Sequence, residues 1–118
     1  MVMTQLLNEK DVYIYSYART PMSGFMGELS SLSAPKLGGY CIADAVKKTG
    51  LDAEDIDELI MGCVLPAGQG QAPARQALLN AGLGVSTGAS TVNKMCGSGL
   101  FAVIIAHDMI LAGSQGCM

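Results

Sequence analysis

Residues 97–112 read GSGLFAVIIAHDMILA, and a helix drawn through them has no clean polar stripe. Leu100, Phe101, Val103, Ile104, Ile105, Met109, Ile110 and Leu111 fall on every side of such a helix. An apolar surface all round belongs inside a protein, covered from several directions. The chain has 118 residues, enough for one domain and one core, and only two other substantial helix patterns. Two helices can scarcely surround a third, so a layered sandwich is expected whose second layer lies outside this sequence. Composition agrees: half of the residues are hydrophobic and 14% are charged, against roughly 25% charged in ordinary globular domains. Part of the surface is therefore expected to be covered by a partner subunit or by further chain.

The elements ahead of this helix alternate. After a polar lead-in over residues 1–11, residues 12–18 (VYIYSYA) predict a strand with Tyr13, Tyr15 and Tyr17 on one face, closed by a turn at Pro21. Ser33 is a candidate N-cap and Pro35 is tolerated in the first turn of a helix that runs to about Thr49 and stops at Gly50. Asp52 offers a second cap for one helical turn, followed by a strand over 58–65 (ELIMGCVL). The loop PAGQGQAPARQ enters a helix with Pro73 near its start and Gly82 beyond its end. A third strand, about 89–93, precedes the apolar helix. The order β-α-β-α-β-α predicts an α/β fold with a largely parallel sheet and a buried last helix.

Several function classes fall away on charge and hydropathy. The net charge is −3 with no lysine or arginine cluster, which removes the electrostatic attraction a nucleic acid needs. The start, MVMTQLLNEKDV, has no basic n-region, and the densest apolar run ends at His107 and Asp108, far short of the roughly 20 residues of a membrane span. A cytoplasmic location is expected. Cys41, Cys63, Cys96 and Cys117 form no CxxC pair and His107 is the only histidine, so no metal site is expected and the thiols are expected to be free. Cys41 and Cys63 fall in helix and strand patterns where core packing explains them; the pattern assigns nothing to Cys117. The glycines before Pro73 match neither GxGxxG nor the Walker spacing, so that loop is read as structural or interfacial, with Arg75 and Gln76 anchoring it or touching a neighbouring chain.

Cys96 has a different setting. In NKMCGSGL, residues 93–100, it stands where the third strand gives way to a Gly-Ser-Gly step and then the helix. Helix N-termini favour the thiolate, the nucleophilic form of cysteine, through unpaired N–H groups and the helix dipole. Gly97 and Gly99 leave room for another molecule to approach. A nucleophilic cysteine normally works with a base in hydrogen-bond reach. His107 lies near the same helix face, but at about 1.5 Å of rise per residue it is about 16 Å along the axis.

NKMCGSGL resembles the nucleophile motif of the thiolases, in particular the biosynthetic acetyl-CoA acetyltransferases. SYARTPMSGFMGELSSLSAPKLG is similar to the family's opening strand and loop, MGCVLPAGQGQAPARQALLNAGL to its second strand, loop and helix, and ASTVNKMCGSGL to its third strand and nucleophile turn. The likeness covers about residues 12–113, and the chain reads as an incomplete thiolase N-terminal domain over 1–118. The resemblance implies condensation of two acetyl-CoA molecules to acetoacetyl-CoA, or the reverse thiolysis, through an acyl-thioester on Cys96. It implies that the Cys96 N–H belongs to the oxyanion hole, that the third strand pairs with its counterpart in a second subunit of a homo-oligomer, and that coenzyme A thioesters are substrates with no further cofactor. Cofactor-binding residues are not assigned.

The same resemblance marks what is absent. Thiolases continue past this helix into a GGMESM-type turn, a loop domain for coenzyme A, an NEAF segment, a GHP histidine and a CGGG cysteine, whereas this sequence ends at SQGCM. Position 101 is Phe where a polar or basic residue is expected. The chain is thus expected to be a truncated fragment, inactive alone. The alternative is a non-catalytic interaction module that pairs through the third strand and the Gly-rich loop.

Overall fold

The computed structural model describes residues 11–118; the polar lead-in read over 1–11 lies, except for Asp11, outside the described residues. Helix α1 spans Ala34–Thr49. Ser33 enters it in extended conformation, Pro35 sits in the first turn, Lys47 and Lys48 oppose the negative end of the dipole, and Gly50 closes it at φ 73°. Gly38 and Gly39 are buried in its middle, where glycine costs about 1 kcal/mol each relative to alanine. They stand there because α1 crosses helix α2 (Pro73–Asn80) closely: a Cβ on Gly39 would meet the Asn80 Cβ at 2.7 Å.

One 3-10 turn, Ala53–Asp55, follows α1, with the Asp55 carboxylate accepting the Asp52 N–H at 3.0 Å. Strand β1 (Glu58–Gly62), α2 and strand β2 (Gly88–Val92) then form a parallel unit, registered from Glu58 opposite Gly88 to Gly62 opposite Val92. Ile56, Leu78 and Leu83 are its buried centre, with Ile42, Val46, Leu59 and Ala89 against them. The expected order is kept from α1 onward.

Two expectations change. Residues 12–18 form no strand: the only sheet among the described residues is β1–β2. The segment instead runs beside α1, with Ser16 Oγ donating to the Ala45 carbonyl at 2.8 Å and Lys48 Nζ to the Tyr17 carbonyl at 3.2 Å. β-propensity expresses itself through neighbours on a pleated surface, and with none present Tyr13, Tyr15 and Tyr17 are all exposed. The second change concerns helix α3 (Ser98–Leu111), the one expected to be buried. It rests on the sheet through Ser98 and Ala102, while Leu100, Val103 and Ile104 face outward. The sheet covers one side of it. At 14 residues it is not long enough to cross a membrane.

After α3 the chain turns at Gly113 (φ 74°) and returns to the start of β1. The Asp57 carboxylate accepts the Gly116 N–H at 2.7 Å and the Cys117 N–H at 3.0 Å, and the Asp57 N–H donates to the Cys117 carbonyl at 3.0 Å. Cys117, left without a role on sequence grounds, is half-buried against the Ile56, Leu78 and Leu83 centre.

Candidate active site

Residues 93–98 turn the end of β2 into the start of α3 in a single tight loop. Cys63, just past β1, donates its N–H to the Val92 carbonyl at 2.9 Å and carries the parallel pairing to the lip of this loop. There the Asn93 side chain reaches both ways: Nδ2 donates to the Val64 carbonyl at 3.3 Å, and Oδ1 accepts the Met95 N–H at 2.9 Å. Met95 takes φ 49°, a left-handed conformation that side chains other than glycine, asparagine and aspartate rarely adopt. Cys96 follows at the apex, with its thiol free and the residue exposed.

Beyond the apex the N–H groups of Gly97 and Ser98 turn inward, to the carbonyls of Lys94 and Met95, both at 3.0 Å. No backbone carbonyl among the described residues takes the Cys96 N–H. Ser98 is 4% exposed; its hydroxyl donates to the Met95 carbonyl at 2.6 Å and accepts the Lys94 N–H at 2.9 Å. The loop also lies hard against β1. A Cβ on Gly62 would come within 2.7 Å of both the carbonyl carbon and the Cβ of Ser98.

The sequence indicated Cys96 but neither Gly62 nor Ser98. An isolated glycine inside a strand pattern is a signal of close backbone approach, and a serine in a Gly-Ser-Gly step is a turn former. Both signals are visible in MGCVL and CGSGL. Phe101, where a polar or basic residue was expected, has a local explanation: the Lys94 ammonium lies 4.8 Å from the centre of its ring, a cation–π contact across the first turn of α3.

The remaining candidates do not converge on the thiol. His107 is half-exposed further along α3 and its Nδ1 lies 3.1 Å from Asp108 Oδ1. Arg75 donates to the carbonyls of Thr87 and, at 3.0 Å, Val85, fixing the approach to β2. Gln76 Nε2 donates to the carbonyls of Gln69 and Gln71 at 2.8 and 2.7 Å, which ties the Gly-rich loop to α2. Both are anchors, one of the two roles read for them. Ala74 donates its N–H to Thr91 Oγ1 at 3.1 Å and so fastens α2 to β2 next to the loop that carries Cys96. Cys41 is half-buried and lines an apolar cavity of about 280 Å³ between α1 and residues 18–32; none of residues 93–98 reaches its wall.

A parallel β-α-β unit that presents an exposed thiol at a strand-to-helix turn, next to a free backbone N–H, defines a protein with a candidate cysteine nucleophile. Similarity narrows this to a family. The family model described as "Thiolase, N-terminal domain" matches residues 12–118, and the chain belongs to the thiolase family. It is 51% identical over 112 residues to "Acetyl-CoA acetyltransferase B, mitochondrial" of Xenopus laevis, covering 95% of this chain and 26% of that protein. It is 47% identical over 109 residues to "Acetyl-CoA acetyltransferase, mitochondrial" of Homo sapiens, covering 92% and 26% respectively. The solved structure of the Acat5 thiolase from Ascaris suum in complex with coenzyme A superposes with a TM-score of 0.87 at 40% identity, over 90% of this chain and 28% of that one. The fold is thus part of a thiolase fold, and the chain spans about a quarter of the length of the curated relatives it matches.

The relatives also correct the expectation of a cytoplasmic location. The frog and human proteins are named as mitochondrial. Charge and hydropathy do not distinguish one aqueous compartment from another, so the composition never carried that assignment.

Proposed function

We propose that this chain carries the nucleophile of a thiolase-type acyltransferase, with Cys96 as the residue that accepts the acyl group. The observation that carries the proposal is the Cys96 turn: an exposed thiol at the apex, its own N–H unpaired beside it, and the neighbouring N–H groups directed inward. The names of the frog and human relatives and the coenzyme A bound to the Ascaris enzyme support coenzyme A thioesters as substrates. They support condensation of two acetyl-CoA molecules to acetoacetyl-CoA, or its reversal, as the reaction, and a mitochondrial setting for it.

In the first half-reaction the Cys96 thiolate attacks the thioester carbonyl. The carbonyl oxygen becomes an oxyanion facing the Cys96 N–H, the carbon–sulfur bond to coenzyme A breaks, and the coenzyme leaves as its thiolate. Cys96 then holds the acetyl group as a thioester of nearly equal energy. A turn that is already folded spends no reorganisation on stabilising the oxyanion. The chain supplies acceptor and oxyanion donor; among the described residues no base stands within reach of the thiol. A general base is worth about 10²- to 10⁴-fold, so transfer by this chain alone is slow.

Incubation with acetyl-CoA followed by intact-mass measurement tests the assignment. One acetyl group added slowly to the unmodified chain, and none to Cys96→Ser, is the expected result. Equal acetylation of both proteins would remove Cys96 from the reaction.

A further inference from the structure

We infer that Ser98 is a positioning residue for Cys96, and that its hydroxyl acts by holding Met95 in the left-handed conformation that lifts the thiol to the apex of the turn. The inference rests on the reading of Cys96 as the nucleophile but stands on different observations. Met95 at φ 49° is strained, because its Cβ crowds the adjacent carbonyl. Such a residue persists only where its surroundings over-determine it. Here they do so from both sides. Asn93 Oδ1 holds the Met95 N–H at 2.9 Å, and the Met95 carbonyl receives two donors, the Ser98 hydroxyl at 2.6 Å and the Ser98 N–H at 3.0 Å.

The hydroxyl does a second thing. By accepting the Lys94 N–H at 2.9 Å while donating to the Met95 carbonyl, it joins the Asn93–Lys94 peptide to the Met95–Cys96 peptide, so that one buried oxygen closes a ring through Lys94 and Met95. Cys96 and Gly97 are what remains outside that ring. Ser98 cannot follow a relaxing turn, since the backbone of Gly62 stands against it with no room for a methyl group between them. Without the oxygen, the Lys94 N–H loses its acceptor and the Met95 carbonyl loses its shortest donor. Met95 then relaxes toward negative φ, and the next peptide plane rotates with it. The Cys96 N–H lies in that plane and the Cys96 Cα, which carries the thiol, ends it, so both leave their places together.

This coupling has a signature that packing alone does not produce. Glycine takes φ 49° without strain, so Met95→Gly removes the need for the hydroxyl. The test is the rate at which iodoacetamide labels Cys96 in the whole chain, resolved by peptide mapping with Cys63 and Cys117 as internal references. Ser98→Ala is expected to slow Cys96 by about threefold or more while the references keep their rates, and Met95→Gly in the Ser98→Ala background is expected to restore Cys96 to within about twofold of the unmodified chain. Should Ser98→Ala instead label rapidly at all four thiols, as an unfolded chain does, the same double variant decides, since recovery of slow reference labelling supports the coupling. Unchanged Cys96 labelling in Ser98→Ala, or a double variant no better than the single one, would overturn it. No acyl donor is involved, so a failure of acetyl transfer and a failure of this coupling are read separately.

Discussion

At position 62 one methyl group decides whether β1 and the turn that carries Cys96 can touch. The atoms a Cβ would meet there are the carbonyl carbon and Cβ of Ser98 and the backbone nitrogen of Gly99, which have no flexible end to swing away. Gly62→Ala must separate the strand from the helix, and is expected to lower stability by about 1–3 kcal/mol, as over-filled sites do. Gly99, in the first turn of α3, has nothing within 4 Å of its Cβ position and no positive φ. Gly99→Ala is expected to raise stability by about 0.5–1 kcal/mol. Urea midpoints of the two variants check both signs, and a neutral Gly62→Ala would mean the contact is looser than it is here. The sequence indicated the thiol because its signal is local, a cysteine between a strand and Gly-Ser-Gly. Gly62 in its strand pattern signals a close approach and Ser98 a turn, but only the folded chain, with β1 against α3, shows that each is the other's partner.

Among the elements, helices were legible and strands less so. Caps are written in neighbouring residues: Ser33, Pro35 and Gly50 bound α1 as read, and α3 ends within a residue of the expected limits. A strand needs a partner that the sequence does not name, so the tyrosine-rich 12–18 segment, with strong propensity and no strand to pair with among the described residues, lies irregular beside α1. The clasp between the residue before β1 and the end of the chain was likewise invisible, and it gives the fold a pH signature. The Cys117 and Gly116 N–H groups hold the Asp57 carboxyl below its ordinary value of 3.8. Its contribution is complete above the unfolded value and is lost as pH falls through the depressed one. Burial, then the charges of Asp57 and Asp55, push the Cys117 thiol above its ordinary 9.0. The unfolded thiol ionises first, so stability falls as pH rises past 9.0 toward the raised value. Urea midpoints across pH are therefore expected to lose part of their acid limb in Asp57→Asn and part of their alkaline fall in Cys117→Ser. Profiles that superimpose on the unmodified chain would show that the clasp carries no linkage.

On the scale of the whole molecule, low charge and a helix apolar on every side called for cover beyond this sequence. In the structure Leu100, Val103 and Ile104 of α3 are exposed, as are Leu65 and Met95. Exposed apolar side chains at this spacing are a face that a partner or further chain would cover, and the chain spans about a quarter of the length of the curated relatives it matches. The turn that presents Cys96 thus sits at the start of a helix whose Leu100, Val103 and Ile104 are left uncovered. Residues 62 and 93–98 together build the turn that carries Cys96.

The most direct measurement is site-resolved acetylation by acetyl-CoA of all four cysteines, followed over time in the folded chain and again in urea. An acyl-accepting Cys96 predicts that it is modified first in the folded chain, ahead of Cys41, Cys63 and Cys117, and that its lead disappears on unfolding. Equal rates at the four thiols in the folded chain, or a Cys96 lead that survives in urea, would contradict a nucleophile made by this fold.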